Sequence, residues 1–218
     1  MSAKLRVGVL VSGGGTNLQA LLDACARPEF PAEIALVVSN VETAFALERA
    51  RKANVSTAVL PHKDYPDRAA FETALVERLK AAGVELVCLA GFMRIVGPTF
   101  LRAFPHRVLN IHPALLPAFP GLHGAKQALA HGVKIAGCTV HFVDEGTDTG
   151  PIVAQAAVPV LPEDDEAALA ARILIQEHLI YPMAVRLFAE GALTVDGRAV
   201  KIAGGSGSPE RTLRSPER

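Results

Sequence analysis

The sequence predicts an α/β protein: a doubly wound, Rossmann-like, mostly parallel sheet with helices on both faces and antiparallel strands in the C-terminal part. Three observations predict it. Short, almost continuously apolar runs rich in β-branched residues recur along the first two-thirds of the chain, as expected of strands covered on both faces. Helical apolar spacing fills the intervals between them. After residue 132 the pattern changes to two strand-like runs and then one long helical stretch.

The strand-like runs fall at 5–11, 34–39, 55–60, 84–90 and 107–111. Leu18, Leu21, Leu22 and Cys25 keep the i, i+3, i+4, i+7 spacing of one helix face. Phe71, Ala74, Leu75 and Leu79, at i, i+3, i+4 and i+8, mark a second helix face, and Gly83 can end that helix at its C′ position. The later runs, 136–143 and 152–158, are joined by the loop 144–151, too long for a tight hairpin and of a kind that often carries function. Pro162-Glu163-Asp164-Asp165-Glu166 opens the long helix with acids in its first turn, where the dipole favours them. Residues 1–203 are expected to form a single domain. Residues 204–218 hold one large apolar residue, Leu213, and are expected to be a disordered tail.

Composition narrows the function classes. Half of the 218 residues are apolar and a fifth charged, a globular balance. Lys and Arg number 22, as do Asp and Glu, so the net charge is zero. That argues against nucleic acid or an anionic membrane as partner, since both demand a basic excess. No apolar run approaches the roughly 20 residues of a membrane span, and the N-terminus lacks the layout of a signal peptide. Cys25, Cys88 and Cys138 lie in apolar stretches and read as free thiols. A cytoplasmic protein acting on small molecules, as monomer or homodimer, is expected.

Three places can carry chemistry. Ser12-Gly13-Gly14-Gly15-Thr16-Asn17 follows the first strand and opens the first helix. Glycines let the backbone approach a ligand, and free N–H groups at a helix start attract an anion. A dinucleotide fingerprint fails because Leu18 stands where its third glycine belongs, and no Lys-Ser or Lys-Thr pair serves a nucleoside triphosphate. The reading that survives is a site for one phosphate, against a glycine-rich turn with no ligand. Asn110 and His112, before Pro113, share one face at the end of the fifth strand, where open α/β sheets bind ligands. They can stabilise an oxyanion and move protons. Asp144, Glu145 and Asp148 compete for the role of carboxylate partner, favouring the charged form of His112 and fixing its tautomer. Glu177 falls on the apolar stripe Leu169, Ile173, Ile180, Ala184 and Leu187. A carboxylate there is costly unless it is paired or lines a pocket, so it reads as a ligand contact or a structural ion pair. No spacing of His and Cys suits a metal.

Taken together, 12–20, Ala90-Gly91-Phe92-Met93-Arg94-Ile95, 110–117, Pro120-Gly121-Leu122-His123 and Val140-His141-Phe142-Val143 followed by Asp148 closely resemble the phosphoribosylglycinamide formyltransferases, within the formyltetrahydrofolate-using family. The resemblance spans about 5–195. It implies transfer of a formyl group from 10-formyltetrahydrofolate, as cosubstrate and without a metal, to the glycinamide amine in purine (IMP) synthesis. It implies Asn110, His112 and Asp148 as the catalytic set. It implies Gly15, Thr16, Asn17 and Glu177 at phosphoribosylglycinamide. At the folate it implies Arg68, Met93, Arg94, Ile95, Val96 and Asn110, with Asp144, Glu145, Gly146 and Thr147 in a loop against the pterin. Ala114 stands where the family commonly has Ser, Ala118 and Phe119 where Lys and Tyr are often found, and Leu174 where polar residues are also seen.

The alternatives are a formyltetrahydrofolate hydrolase and a non-catalytic phosphate- or folate-binding module. The first normally carries an extra N-terminal domain, whereas the first strand here begins at Leu5. A tRNA-directed relative needs a further C-terminal domain and a basic surface, for which the chain has no room. Binding alone does not require Asn110, His112 and Asp148 together.

Overall fold

Five parallel strands carry the first part of the chain, because each is apolar on both faces and needs helices on either side. The computed structural model describes residues 3–204 and 213–215. The chain divides into two units, Met1–Asn110 with Phe142–Glu145, and Ile111–His141 with Gly146–Arg218.

The first unit runs β1 (Leu5–Val11), α1 (Thr16–Cys25), β2 (Ala32–Ser39), α2 (Phe45–Lys52), β3 (Thr57–Val59), α3 (Arg68–Ala81), β4 (Leu86–Leu89) and α4 (Pro98–Ala103), then enters β5 (Val108–His112). The strands lie in the order β3-β2-β1-β4-β5, each pair parallel. The order reverses between β1 and β4, so the carboxyl ends of these two strands form the crevice where such sheets bind ligands. Leu10, Val38, Leu75, Leu79, Val87, Phe100 and Val108 belong to one buried cluster under the strands. Asp67 caps α3 by accepting from the Ala70 amide at 2.8 Å, and Gly83, with φ 66°, ends it as expected.

The second unit holds the end of β5, α5 (Gly124–Ala130), β6 (Ile135–Phe142), β7 (Ile152–Pro159), α6 (Glu166–Ala189), β8 (Leu193–Asp196) and β9 (Ala199–Ile202). β6 and β7 pair antiparallel, as do β8 and β9. Asp165 caps α6 through the Ala168 amide at 2.7 Å, and Asp164 grips Arg172 through both carboxylate oxygens at 2.6 and 2.8 Å. Leu169, Ile173, Ile180 and Ala184 of the expected stripe are buried, while Leu187 at its end is only partly so.

All seven expected strands are present, with ends that move by no more than two residues. The helices α2, α4 and α5 and the β8–β9 hairpin were not expected. Each is short, and three or four apolar positions do not establish a period. The expected tail, 204–218, lies outside the described residues apart from 204 and 213–215. Among the described residues, no helix is long and apolar enough to cross a membrane.

Candidate active site

The glycine turn is held from below by α2. The Ala46 amide donates to the Gly13 carbonyl at 3.0 Å, and Arg49 Nε donates to the Gly14 carbonyl at 2.8 Å. Arg49 also reaches Gln19 Oε1 at 3.2 Å, which ties the turn to α1. With its carbonyls engaged beneath, the turn presents Gly13 and Gly14 to solvent, and a Cβ on either would meet nothing within 4 Å. Gly15 is different. It occupies the N-cap of α1 at φ 71°, and a Cβ there would lie 2.6 Å from the Ala46 Cβ and 2.8 Å from its Cα. Left-handed backbone and a neighbouring backbone atom both demand glycine. Gly15→Ala is expected to destabilise the protein by about 1–3 kcal/mol. It should also raise the KM of a phosphate-bearing substrate at this turn. Thermal melts and initial rates check both, and an unchanged KM counts against a phosphate here.

Across the crevice, the segment 91–97 leaves β4. Met93 and Ile95 are each 64 % exposed, while Val96 is buried. The segment is held at its ends by side chains: the Met93 amide donates to Ser12 Oγ at 2.8 Å, and the Gly97 amide donates to Glu72 Oε1 at 2.5 Å. Glu72 is buried on α3, accepts a second amide from Phe100 at 3.2 Å and faces Arg68 Nε at 3.6 Å. A Cβ on Gly97 would lie within 2.9 Å of side-chain atoms of both Arg68 and Glu72, so a larger residue there would have to displace them. Arg68 and Arg94 line a cavity of about 210 Å³ with His62, Tyr65, Asp67, Phe71 and Ile95, and the Asp67 carboxylate is engaged in capping α3. Two guanidinium groups against aromatic walls suit an aromatic ligand that carries carboxylates.

Asn110 and His112 end β5, and strand alternation puts them on one face. His112 is 4 % exposed. Its Nε2 donates to the Phe119 carbonyl at 2.8 Å, and its Nδ1 faces Asp148 Oδ2 at 3.4 Å. The two ring nitrogens thus face two oxygen acceptors, one a backbone carbonyl and the other a carboxylate. Asp148 is thus the acid set beside His112. It sits at φ 54° in the loop after β6 and accepts the Gly121 amide at 2.8 Å. Its other oxygen lies 3.6 Å from His141 Nε2. Burial pushes the Asp148 carboxyl upward, but the hydrogen bonds from His141 and Gly121 and the charges of His112 and His141 outweigh it, and the net shift is downward. The loop after Pro113 is fixed from β6: Thr139 Oγ1 donates to the Ala114 carbonyl at 2.7 Å and accepts the Leu116 amide at 3.0 Å.

Glu177 is 6 % exposed in the middle of α6. Burial pushes the Cys138 thiol up to about 12, and the Glu177 carboxylate adds to the shift. Burial likewise raises Cys25 to about 12. Both thiols are protonated and inert at neutral pH.

Arg68, Met93, Arg94, Ile95 and Val96 stand together in the first unit, as do Gly15, Thr16 and Asn17 at the start of α1. His112 and Asp148 are brought together in the second. Asp144 and Glu145 fall in the first unit and Gly146 and Thr147 in the second, and the last three are exposed. Sequence reasoning missed His141, Glu72 and Arg49. His141 carried a signal, since it shares a β6 face with Thr139, where an apolar residue is the rule for a buried strand.

The formyl transferase family model matches residues 5–185. The chain is 42 % identical over 200 residues to the phosphoribosylglycinamide formyltransferase of Escherichia coli, covering 92 % of this chain and 94 % of that one. It is 54 % identical over 190 residues to the trifunctional purine biosynthetic protein adenosine-3 of Drosophila pseudoobscura pseudoobscura. That match covers 86 % of this chain but spans only 14 % of the relative's length. The crystal structure of glycinamide ribonucleotide transformylase 1 from Symbiobacterium toebii superposes with a TM-score of 0.92 at 57 % identity, over 93 % of this chain and 96 % of that one.

Proposed function

The chain belongs to the phosphoribosylglycinamide formyltransferases of the formyl transferase family, and we propose that it moves the formyl group of 10-formyltetrahydrofolate to the amine of phosphoribosylglycinamide in the cytoplasm. The observation that carries this reading is the buried His112–Asp148 pair at the end of β5, in a chain that matches the Escherichia coli enzyme over 94 % of that enzyme's length.

In the proposed reaction the glycinamide amine attacks the formyl carbon and a tetrahedral oxyanion forms. Asn110 and the charged His112 donate hydrogen bonds to that oxygen. Collapse breaks the bond to N10 of the folate; N10 gains a proton and the former amine loses one, through these groups or a water. Asp148 holds His112 in its charged form. Because Nε2 donates to the Phe119 carbonyl, that carbonyl must yield before Nε2 can reach a formyl oxygen. The glycine turn, with Gly15, Thr16 and Asn17, takes the phosphate, and Glu177 the ribose and glycinamide side. Arg68 and 93–96 take the folate, with Asn110 and the loop of Asp144, Glu145, Gly146 and Thr147 against its pterin. Residues 1–203 form the domain that does this.

The purified protein is expected to formylate phosphoribosylglycinamide only when 10-formyltetrahydrofolate is supplied. Loss of formyl from the folate without the acceptor at a comparable rate would instead make the protein a hydrolase. Binding of both ligands without turnover would make it a binding module.

A further inference from the structure

Ser12 lies between the two substrate sites. It follows β1 directly, immediately before the Gly13–Gly15 turn, and its amide donates to the Gly91 carbonyl at 3.1 Å. Its hydroxyl has one proton, which goes to Asn40 Oδ1 at 2.6 Å. The oxygen then accepts the Met93 amide at 2.8 Å. A hydroxyl that donates and accepts at once strengthens both bonds, because each polarises the other. Asn40 is 7 % exposed, and its Nδ2 faces His62 Nδ1 at 3.5 Å. His62 is a wall of the 210 Å³ cavity with Arg68, Arg94 and Ile95. A continuous polar path thus runs from the glycine turn through Ser12 and Asn40 to that wall, with a branch to the start of the segment 93–96.

This branch carries weight because the segment is packed at one end only, where Val96 joins the buried core. Met93, Arg94 and Ile95 are exposed and belong to no helix or strand, so the Ser12 clamp holds the Met93 end, while Val96 and the Glu72 clamp hold the other. The Glu72 clamp is buried in α3 and α4. The Ser12 clamp instead shares its backbone with an exposed turn that a bound anion would order.

We propose that Ser12 is a positioning residue that links the two sites, so that phosphoribosylglycinamide at the glycine turn and folate at the 93–96 segment each raise the affinity for the other. The inference rests on the substrate reading above. An anion on the Gly13–Gly15 turn fixes the Ser12 backbone, which fixes its hydroxyl and with it the Met93 amide. The entropy of ordering that path is lost once and shared by the two ligands. Linkage requires the effect to be equal in both directions.

Tetrahydrofolate without its formyl group tests this, because it cannot react. Its Kd is measured by calorimetry with and without saturating phosphoribosylglycinamide, and the converse titration is run with the partners exchanged. In the wild type, each ligand is expected to tighten the other about 5-fold, by the same factor in both directions. In Ser12→Ala, which removes one oxygen, the factor is expected to fall to within 2-fold of unity. In turnover, the loss in that variant should fall on the two KM values rather than on kcat. A merely structural serine would lower stability without removing the factor. Wild-type binding of both ligands with a factor of one overturns the linkage. A 5-fold factor retained in Ser12→Ala overturns the role of Ser12. Wild-type protein that binds neither ligand overturns the substrate reading, and the linkage with it.

Discussion

His112→Ala is expected to lower kcat by about 10²–10⁴-fold with far less effect on either KM. The ring is buried between the Phe119 carbonyl and the Asp148 carboxylate, and in the proposed reaction it donates to an oxygen that is charged only in the transition state. Interactions made only there act on kcat, whereas uniform binding acts on KM. The truncation also leaves Asp148 without one of its two imidazole neighbours and opens a space of ring size, so some stability is lost too. His112→Gln separates the two effects. It refills most of the space and keeps a donor, but carries no charge and shuttles no proton. Both variants are expected to be slow, and the glutamine variant to melt closer to the wild type. Turnover is followed by the absorbance change as the folate loses its formyl group. A wild-type kcat in both variants removes His112 from the chemistry.

The parts legible in the sequence are those where a period or a chemical oddity spans several residues. The runs 5–11 and 152–158 read as strands because nearly every residue in them is apolar or small, and they are strands from the first residue named. Glu177 stood out as a carboxylate on an apolar stripe, and it is buried there. Glu72 occupies a comparable place on α3, yet its neighbourhood holds Arg68, Thr73 and Glu77, so its burial had no contrast to show against. What hides such residues is that their partners are backbone groups. Glu72 is explained by the amides of Gly97 and Phe100, Arg49 by the carbonyl of Gly14, and no side-chain pattern announces a backbone partner. His141 is separated from Cys138 by strand alternation, so the two do not share a face. The same alternation gives it the Thr139 face. Spacing alone does not choose among Asp144, Glu145 and Asp148, for a different reason. A loop has no period, and it is the left-handed backbone at Asp148, φ 54°, together with the Gly121 amide, that aims its carboxylate at the two histidines.

That same backbone makes Asp148→Asn the cleanest probe of the carboxylate charge. Asparagine adopts left-handed φ more readily than most residues, so the variant isolates charge from backbone strain, which alanine would not. Its amide oxygen can still accept from Gly121, but neither atom of the amide neutralises an imidazolium. The expected loss in kcat is about 10²–10⁴-fold, comparable with that of His112→Ala, because the two act as a unit. The double variant is expected to be scarcely slower than either single one. The pH dependence of stability supplies an independent sign. The folded carboxyl titrates below its ordinary value, so its ionised form stabilises the fold. That contribution is complete above the unfolded value of about 4 and is lost as pH falls through the lower folded value. The gap in thermal midpoint between wild type and Asp148→Asn is therefore expected to shrink as pH drops from about 5 towards 2. A gap that is constant over that range, or that widens on acidification, shows that the folded carboxyl is not held ionised by His141, Gly121 and His112.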